Sequence, residues 1–375
     1  MNLLFIINNL TTGGAEIQLK NIIISHKNKT DIKVISIISK GEIGFEIQRL
    51  GVDVYELKMK NIFYVPLGII KMIYYFFKIR PDVVHSWMYH SNLFSSIFCK
   101  LFRVKNVIWS IHQFDTSLKF NSFATVLIIK IGALLSKFVP NTIICVSEQV
   151  KINHIKFGYC REKCKVISNG IDTNNFSINS DSRTKTRKKL DIDSNTILIG
   201  LFARYHPIKG HLNFLHSIKL LEQKNSINSF AILLVGLNCD NNNLDLINTI
   251  KNIDLKSNVK LLGLRTDIPE LLSSLDLFVS ASENEAFSLA LAEAMSCGIP
   301  CVSTKAGDPS SLLSQYGFIC IDNKPVNLCN SISDAIIKMN NQVEWECRKL
   351  GCSEYINNNF SIQKVLHDYE EIWNK

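Results

Sequence analysis

DLFVSASENEAFSLALAEAMSCGIPCVST, residues 276–304, runs from an apolar strand through an acidic loop and a helix into a second apolar strand. The two ends, DLFVSAS at 276–282 and IPCVST at 299–304, are short and rich in apolar and β-branched side chains, as strands buried on both faces are. Between them the apolar positions take helical spacing, and Gly298 and Pro300 supply the stop. A strand, a crossover helix and a further parallel strand form the repeating unit of a doubly wound sheet.

Further units lie on both sides. TILIGLFA at 196–203, FAILLVG at 230–236 and NVKLLG at 258–263 complete one series of strands. Upstream, LLFIINNL at 3–10, IKVISII at 32–38, DVVHSW at 82–87, NVIWSIH at 106–112 and TIICVS at 142–147 form another, with helical stretches at 16–26, 65–79 and 124–138 between them. A chain of 375 residues exceeds what one core organises, so two similar α/β domains are expected. The hydrophobic pattern lapses after Asn169 and Gly170, which places the boundary at residue 178: 1–178 for the first domain and 179–360 for the second. SDSRTKTRKKL at 180–190 reads as a solvated linker and first helical turn, and 361–375 as a terminal helix that packs back on the first domain.

Composition narrows the function classes. Hydrophobic residues make up 46% of the chain and charged residues 20%, which excludes a disordered chain. The eleven cysteines are odd in number and irregular in spacing, and the Met1-Asn2-Leu3-Leu4-Phe5 start has no basic n-region, so reduced cytosolic thiols are expected. Cys160 and Cys164 lack a second pair at zinc-ligand spacing. The most apolar run, IFYVPLGIIKMIYYFFKI at 62–79, is broken by Pro66, Lys71 and Lys78, which argues against a membrane span. Residues 1–175 hold 22 Lys and Arg against 11 Asp and Glu, a balance of +11, while the remainder balances at −2. A basic half with an aromatic run suits peripheral contact with an anionic membrane; no nucleic-acid-binding signature accompanies it, and no nucleic acid partner is expected.

Three places have chemistry to offer. Gly13 and Gly14 follow the first strand and open a helix, a turn that exposes backbone N–H groups, without the complete G-x-G-x-x-G pattern of a dinucleotide site. GLFARYHPIKGHLNFL at 200–215 delivers Arg204 and Lys209 from one strand-end loop, a planar fork and a mobile point charge that together suit a diphosphate. In the opening stretch Glu285 and Glu293 are eight residues apart, about 12 Å along a helix and about 80° apart around it. One ligand can touch both. Glu293 would accept ribose hydroxyls, Glu285 sugar hydroxyls, and the N–H groups of Phe287, Ser288 and Leu289 would face a phosphate.

The segment EAFSLALAEAMSCGIPCV, with Glu285 and Glu293, resembles the signature of retaining GT-B glycosyltransferases of family 4. GGAE at 13–16, PDVVHSW at 81–87, the strand-end His112, VSE at 146–148, KVISNGID at 165–172, ARYHPIKG at 203–210 and LLGLRTDIPELLSSLDLFVSAS at 261–282 resemble that family's landmarks in order. Ala286 departs from the family's usual glycine. The resemblance implies two Rossmann-like domains facing each other across a cleft, the first binding acceptor and the second a nucleotide sugar. It implies catalytic roles for His112, Glu285, Arg204 and Lys209. Gly14, with Gly13, would approach the phosphates, and the backbone of Gly263 and Leu264 would contact the base. His85, also read as a strand-end group, is a further candidate, and His90 and His206 read as surface residues.

By the same resemblance, a sugar moves from a nucleotide diphosphate sugar, UDP-linked rather than GDP-linked, to a hydroxyl with retention. No cofactor or metal ion is required, since Arg204 and Lys209 offset the diphosphate charge. A lipid-linked saccharide is the expected acceptor, in bacterial surface polysaccharide or O-antigen assembly at the inner face of the cell membrane. The alternatives are a soluble transferase for small molecules and a catalytically silent nucleotide-sugar-binding or scaffold protein.

Overall fold

The structure, a computed structural model, describes residues 1–11, 13–224 and 229–375. It divides into one unit of residues 1–170 with 362–375 and another of residues 171–361. The crossover therefore lies eight residues before the expected boundary at 178, because the Ile171 N–H already bonds the Phe360 carbonyl and Ile171 bridges Ser361.

The first unit is built on a seven-stranded parallel sheet: β1 (Asn2–Ile7), β2 (Asp31–Ser36), β3 (Asp53–Glu56), β4 (Val83–Trp87), β5 (Asn106–Ile111), β6 (Thr142–Cys145) and β7 (Cys164–Val166). Their order is β3-β2-β1-β4-β5-β6-β7. The second unit repeats this with β8 (Ile197–Phe202), β9 (Phe230–Val235), β10 (Asn258–Leu261), β11 (Leu277–Ser280), β12 (Cys301–Thr304) and β13 (Phe318–Cys320), in the order β10-β9-β8-β11-β12-β13. Every strand expected from sequence is present. The three not anticipated, β3, β7 and β13, sit at sheet edges, where three or four residues with partly exposed side chains make no apolar run.

In each sheet the order reverses beside the first strand, between β1 and β4 and between β8 and β11. In open α/β sheets such a switch point opens a crevice at the carboxyl ends of the strands, where loops from the two sides diverge. The fully buried strand residues, such as Leu3, Phe5 and Ile7 in one unit and Ile199, Ile232 and Val279 in the other, form the cores beneath these crevices.

The terminal helix Ile362–Trp373 belongs to the first unit and packs beside the helix Gly14–His26. Tyr369 and Trp373 are fully buried, and the Trp373 indole Nε1 donates to His85 Nδ1 at 3.3 Å. His85 lies within β4, and its Nε2 also meets Ser110 Oγ at 2.7 Å. With both ring nitrogens occupied inside the sheet, His85 is a structural histidine and not a strand-end group.

The basic segment after the crossover is not simply solvated. It forms the helix Ser180–Lys189, in which Arg187 is buried. Arg183 and Arg187 both pair with Asp276, whose carboxylate also accepts the Leu198 N–H at 2.7 Å. Arg187 donates further to the carbonyls of Ser274 and Asp193. A buried guanidinium needs acceptors to offset the loss of water, and here both terminal nitrogens have them while Nε is enclosed without one among the described residues. The two arginines therefore tie this helix to the amino end of β11.

Candidate active site

In the second unit the loops leaving β8 and β11 are fastened together. The Glu283 N–H donates to the Ile208 carbonyl at 2.8 Å, and Thr304 Oγ1 donates to the Ser282 carbonyl at 2.6 Å. Gly210, at φ +70°, lies so close to the strand β11 exit that a Cβ there would stand 2.0 Å from the Ala281 carbonyl oxygen. Gly307, at φ +73°, likewise leaves room for the Glu285 carbonyl, 1.8 Å from where its Cβ would be. Only glycine meets both demands, the left-handed backbone and the absent side chain. Gly307 is not among the residues singled out from sequence; its signal is a lone glycine in a loop three residues after β12 ends.

This fastening brings two anticipated residues into contact. The Lys209 ammonium pairs with Oε1 of Glu285, which also accepts from Ser282 Oγ at 2.9 Å. Arg204, on the same loop as Lys209, is exposed, and among the described residues its guanidinium has no hydrogen-bonded or ionic partner. A fixed cation and a free one thus stand at the switch point.

Glu285 does not share a helix with Glu293. The helix is Leu289–Ser296, with Ser288 at its N-cap, so Glu285 and Phe287 belong to the loop and the helical-wheel estimate of their separation does not apply. The Ser288 side chain makes no capping hydrogen bond. The first-turn N–H groups therefore keep their capacity and partial positive charge for an anion. Glu293 lies one turn in, and burial pushes its carboxyl up to about 7. Such a group holds its proton until a partner that donates hydrogen bonds stabilises the carboxylate.

Gly263 is differently placed from the expectation. Its N–H donates to the Cys239 carbonyl at 2.7 Å and its carbonyl accepts from the Gly236 N–H at 2.8 Å, so Gly263 spends both its own backbone groups within the unit. Leu264 is exposed beside it. Nearby, Tyr205, Asn238, Asp240, Asn242 and Asn243 line a polar recess of about 460 Å³ to which no sequence motif points. Tyr205 Oη donates to Asp245 at 2.6 Å at its rim.

The first unit places its candidates at the carboxyl ends of its own strands. Gly13 is the N-cap and Gly14 the first residue of the helix Gly14–His26, but Glu16 folds back so that a Cβ on Gly13 would stand 2.3 Å from its Oε2. Burial raises the Glu16 pKa, and a backbone hydrogen bond partly opposes the shift. His112 follows β5 and stacks on Trp87, ring centroids 4.4 Å apart at 18°. Its Nε2 and the Trp87 Nε1 are both enclosed and, among the described residues, without hydrogen-bond partners. Burial lowers the His112 pKa to about 3, so the ring is neutral at physiological pH. His90 is exposed, while His206 is half-buried and caps the turn Pro207–Lys209 through its Nδ1.

Two parallel α/β sheets of one winding, the second with charged groups gathered at its switch point, fit the GT-B class of α/β enzyme. Residues 182–346 match the family described as glycosyl transferases group 1, and residues 12–175 match glycosyltransferase family 4. The chain is 26% identical over 304 residues to the UDP-Gal:alpha-D-GlcNAc-diphosphoundecaprenol alpha-1,3-galactosyltransferase of Escherichia coli, spanning 79% of this chain and 76% of that one. The crystal structure of Anabaena Alr3699/HepE in complex with UDP superposes with a TM-score of 0.86 at 22% identity, covering all of both chains. WaaG, a glycosyltransferase involved in lipopolysaccharide biosynthesis, superposes at 0.73 and 12% identity, covering 98% of this chain and 99% of that one. The chain belongs to the GT-B glycosyltransferases of family 4.

Proposed function

We propose that this glycosyltransferase takes a hexosyl or N-acetylhexosaminyl group from a UDP-linked sugar and transfers it, with retention, to a hydroxyl of a lipid-linked saccharide. The observation that carries the donor half is the cluster at the β8 and β11 exits: the free Arg204, the Lys209–Glu285 pair and the uncapped helix N-terminus before Glu293. The diphosphate would lie on Arg204, Lys209 and the first-turn N–H groups, which offset the charge that grows as it departs. Glu293 would accept the two ribose hydroxyls, and Glu285 the hydroxyls of the sugar. In the transfer step the anomeric carbon–phosphate oxygen bond breaks, the bond to the acceptor oxygen forms on the same face, and the acceptor proton passes to the departing phosphate. His112, neutral, would hydrogen-bond the reacting sugar.

The choice of UDP is supported by the UDP bound to the Anabaena protein, and that of a lipid diphosphate acceptor by the name of the Escherichia coli relative. An apolar, basic first unit favours a lipid-linked acceptor over a small soluble one. These supports together suggest surface polysaccharide assembly at the inner face of a bacterial membrane, without a metal ion or cofactor. The test is incubation of the purified protein with radiolabelled UDP-sugars and undecaprenyl diphosphate N-acetylglucosamine in EDTA, with NMR of the product linkage. An α-linked product formed in EDTA is expected. A β-linked product would overturn retention, and activity restored only by a divalent ion would overturn metal independence.

A further inference from the structure

The segment 62–79 is the turn Ile62–Tyr64 running into the helix Val65–Ile79, and by length and composition it could cross a membrane. Its packing argues otherwise. Gly68, Met72, Phe76 and Ile79 are buried in the first unit, and Phe76 stacks against Phe98 and Phe102. Its other side, including Ile70 and Phe77, faces outward.

The helix Phe123–Leu135 shows the same anomaly more sharply. Val126, Ile129, Gly132 and Ala133 are buried, as expected of a helix on a sheet. Yet Phe123, Leu127, Ile131 and Leu134 are exposed and follow one another at three- and four-residue steps, forming a second apolar stripe about 17 Å long, with Phe138 exposed just beyond the helix end. A helix apolar on both sides is ordinarily covered on both. Between these two helices lies Tyr89–Leu101, in contact with each and presenting Ile97 and Leu101 outward.

The charge around this face is one-sided. Residues 57–147 contain eleven Lys and Arg against two acidic residues, Asp82 and Asp115, and none of the three helices contains an acidic side chain. A second copy of the chain would bring an equally basic face against this one. An anionic bilayer supplies both the apolar depth and the opposite charge.

We propose that the outer face of the helices Val65–Ile79, Tyr89–Leu101 and Phe123–Leu135 is a single monotopic docking surface for an anionic phospholipid bilayer, with the helices lying along the interface. The loop 113–122 joins His112 directly to the Phe123 end of that face, so docking would hold the His112 end of the sheet beside the bilayer. This deepens the proposed function, on which it rests for the claim that the bilayer supplies the acceptor.

The experiment is co-sedimentation of the full chain with vesicles of phosphatidylcholine alone or with 30% phosphatidylglycerol, as wild type, Leu127→Ser/Leu134→Ser, Ile70→Ser/Phe77→Ser and Lys130→Glu/Lys137→Glu. Val343→Ser, an exposed apolar position of the second unit, is the control. Wild type and control should bind the anionic vesicles, with affinity falling at least tenfold in each double variant and with 0.5 M salt. Absence of binding by folded wild type, equal binding to neutral vesicles, or double variants that bind like wild type would overturn the proposal. So would a wild-type dimer in light scattering that the same variants dissociate. UDP binding measured on the same preparations separates the two claims: its presence without vesicle binding rejects the docking surface alone, and its absence rejects the donor site.

Discussion

The two units share a winding but differ in what their loops do with it. In the second, the exits of β8 and β11 are cross-linked by main-chain bonds and by Lys209–Glu285, and polar groups are held in place before any ligand arrives. In the first, the exits of β4 and β5 hold aromatic and neutral groups, Trp87 and His112, and the helices outside present apolar and basic side chains. One scaffold thus presents fixed charge for a charged ligand and the other an apolar edge. The difference lies in loops and outer faces and not in the sheets, as expected where function is grafted on a common fold.

The comparison can be broken first through stability. Trp373→Ala removes a fully buried ring that joins the terminal helix to β4, and should cost about 3–5 kcal/mol. Asp276→Asn strands the buried Arg187 guanidinium and should cost a similar ~3–5 kcal/mol. Urea unfolding of each would show it; a loss below 1 kcal/mol in either would remove the corresponding support from the account of that unit.

Kinetics sharpens the contrast at the next level. His112→Ala should lower kcat about 100-fold, about 2.7 kcal/mol, with donor affinity changed less than about threefold. Glu293→Ala should instead weaken donor binding by roughly ten- to thirtyfold, about 1.4–2 kcal/mol. Exchanged phenotypes would reverse the division of labour between the units.

The last effect concerns pH. The folded-state pKa of Glu293, raised to about 7, exceeds its unfolded value, so the favourable protonated form is fully present below about pH 4.5 and is lost as pH rises toward 7. Glu293→Gln should therefore stabilise the free protein by about 1–3 kcal/mol at pH 8 and leave it unchanged at pH 4. Denaturant titrations at both pH values would check this; equal effects at both would place the ionisable group elsewhere.

Much of this was legible in the sequence because parallel strands buried on both faces are written as continuous apolar runs, and all ten such runs became strands. Of the four edge strands only β10 carries such a run; β3, β7 and β13 are three or four residues long and do not. The residues gathered at the β8 and β11 exits were recognisable by type and motif, but their geometry was not. Ser288 is a plausible N-cap by residue type, yet helical spacing alone extended the helix back to Glu285. The Lys209–Glu285 pairing, the burial of Arg187 against Asp276 and the closed turn at Gly263 each depend on segments far apart in the chain, which local pattern does not encode. The stripe from Phe123 to Leu134 reads simply as apolar in sequence; that half of it faces outward emerges only from the packing.

The central claim is that the second unit binds a nucleoside diphosphate through Arg204, Lys209 and the helix before Glu293. Isothermal titration calorimetry of UDP, GDP and ADP, in EDTA, with wild type and Arg204→Ala tests it most directly. Wild type should bind UDP in preference to the other two, and Arg204→Ala should weaken that binding at least tenfold. Folded wild type that binds none of the three, or an Arg204→Ala variant that binds UDP as wild type does, would contradict it.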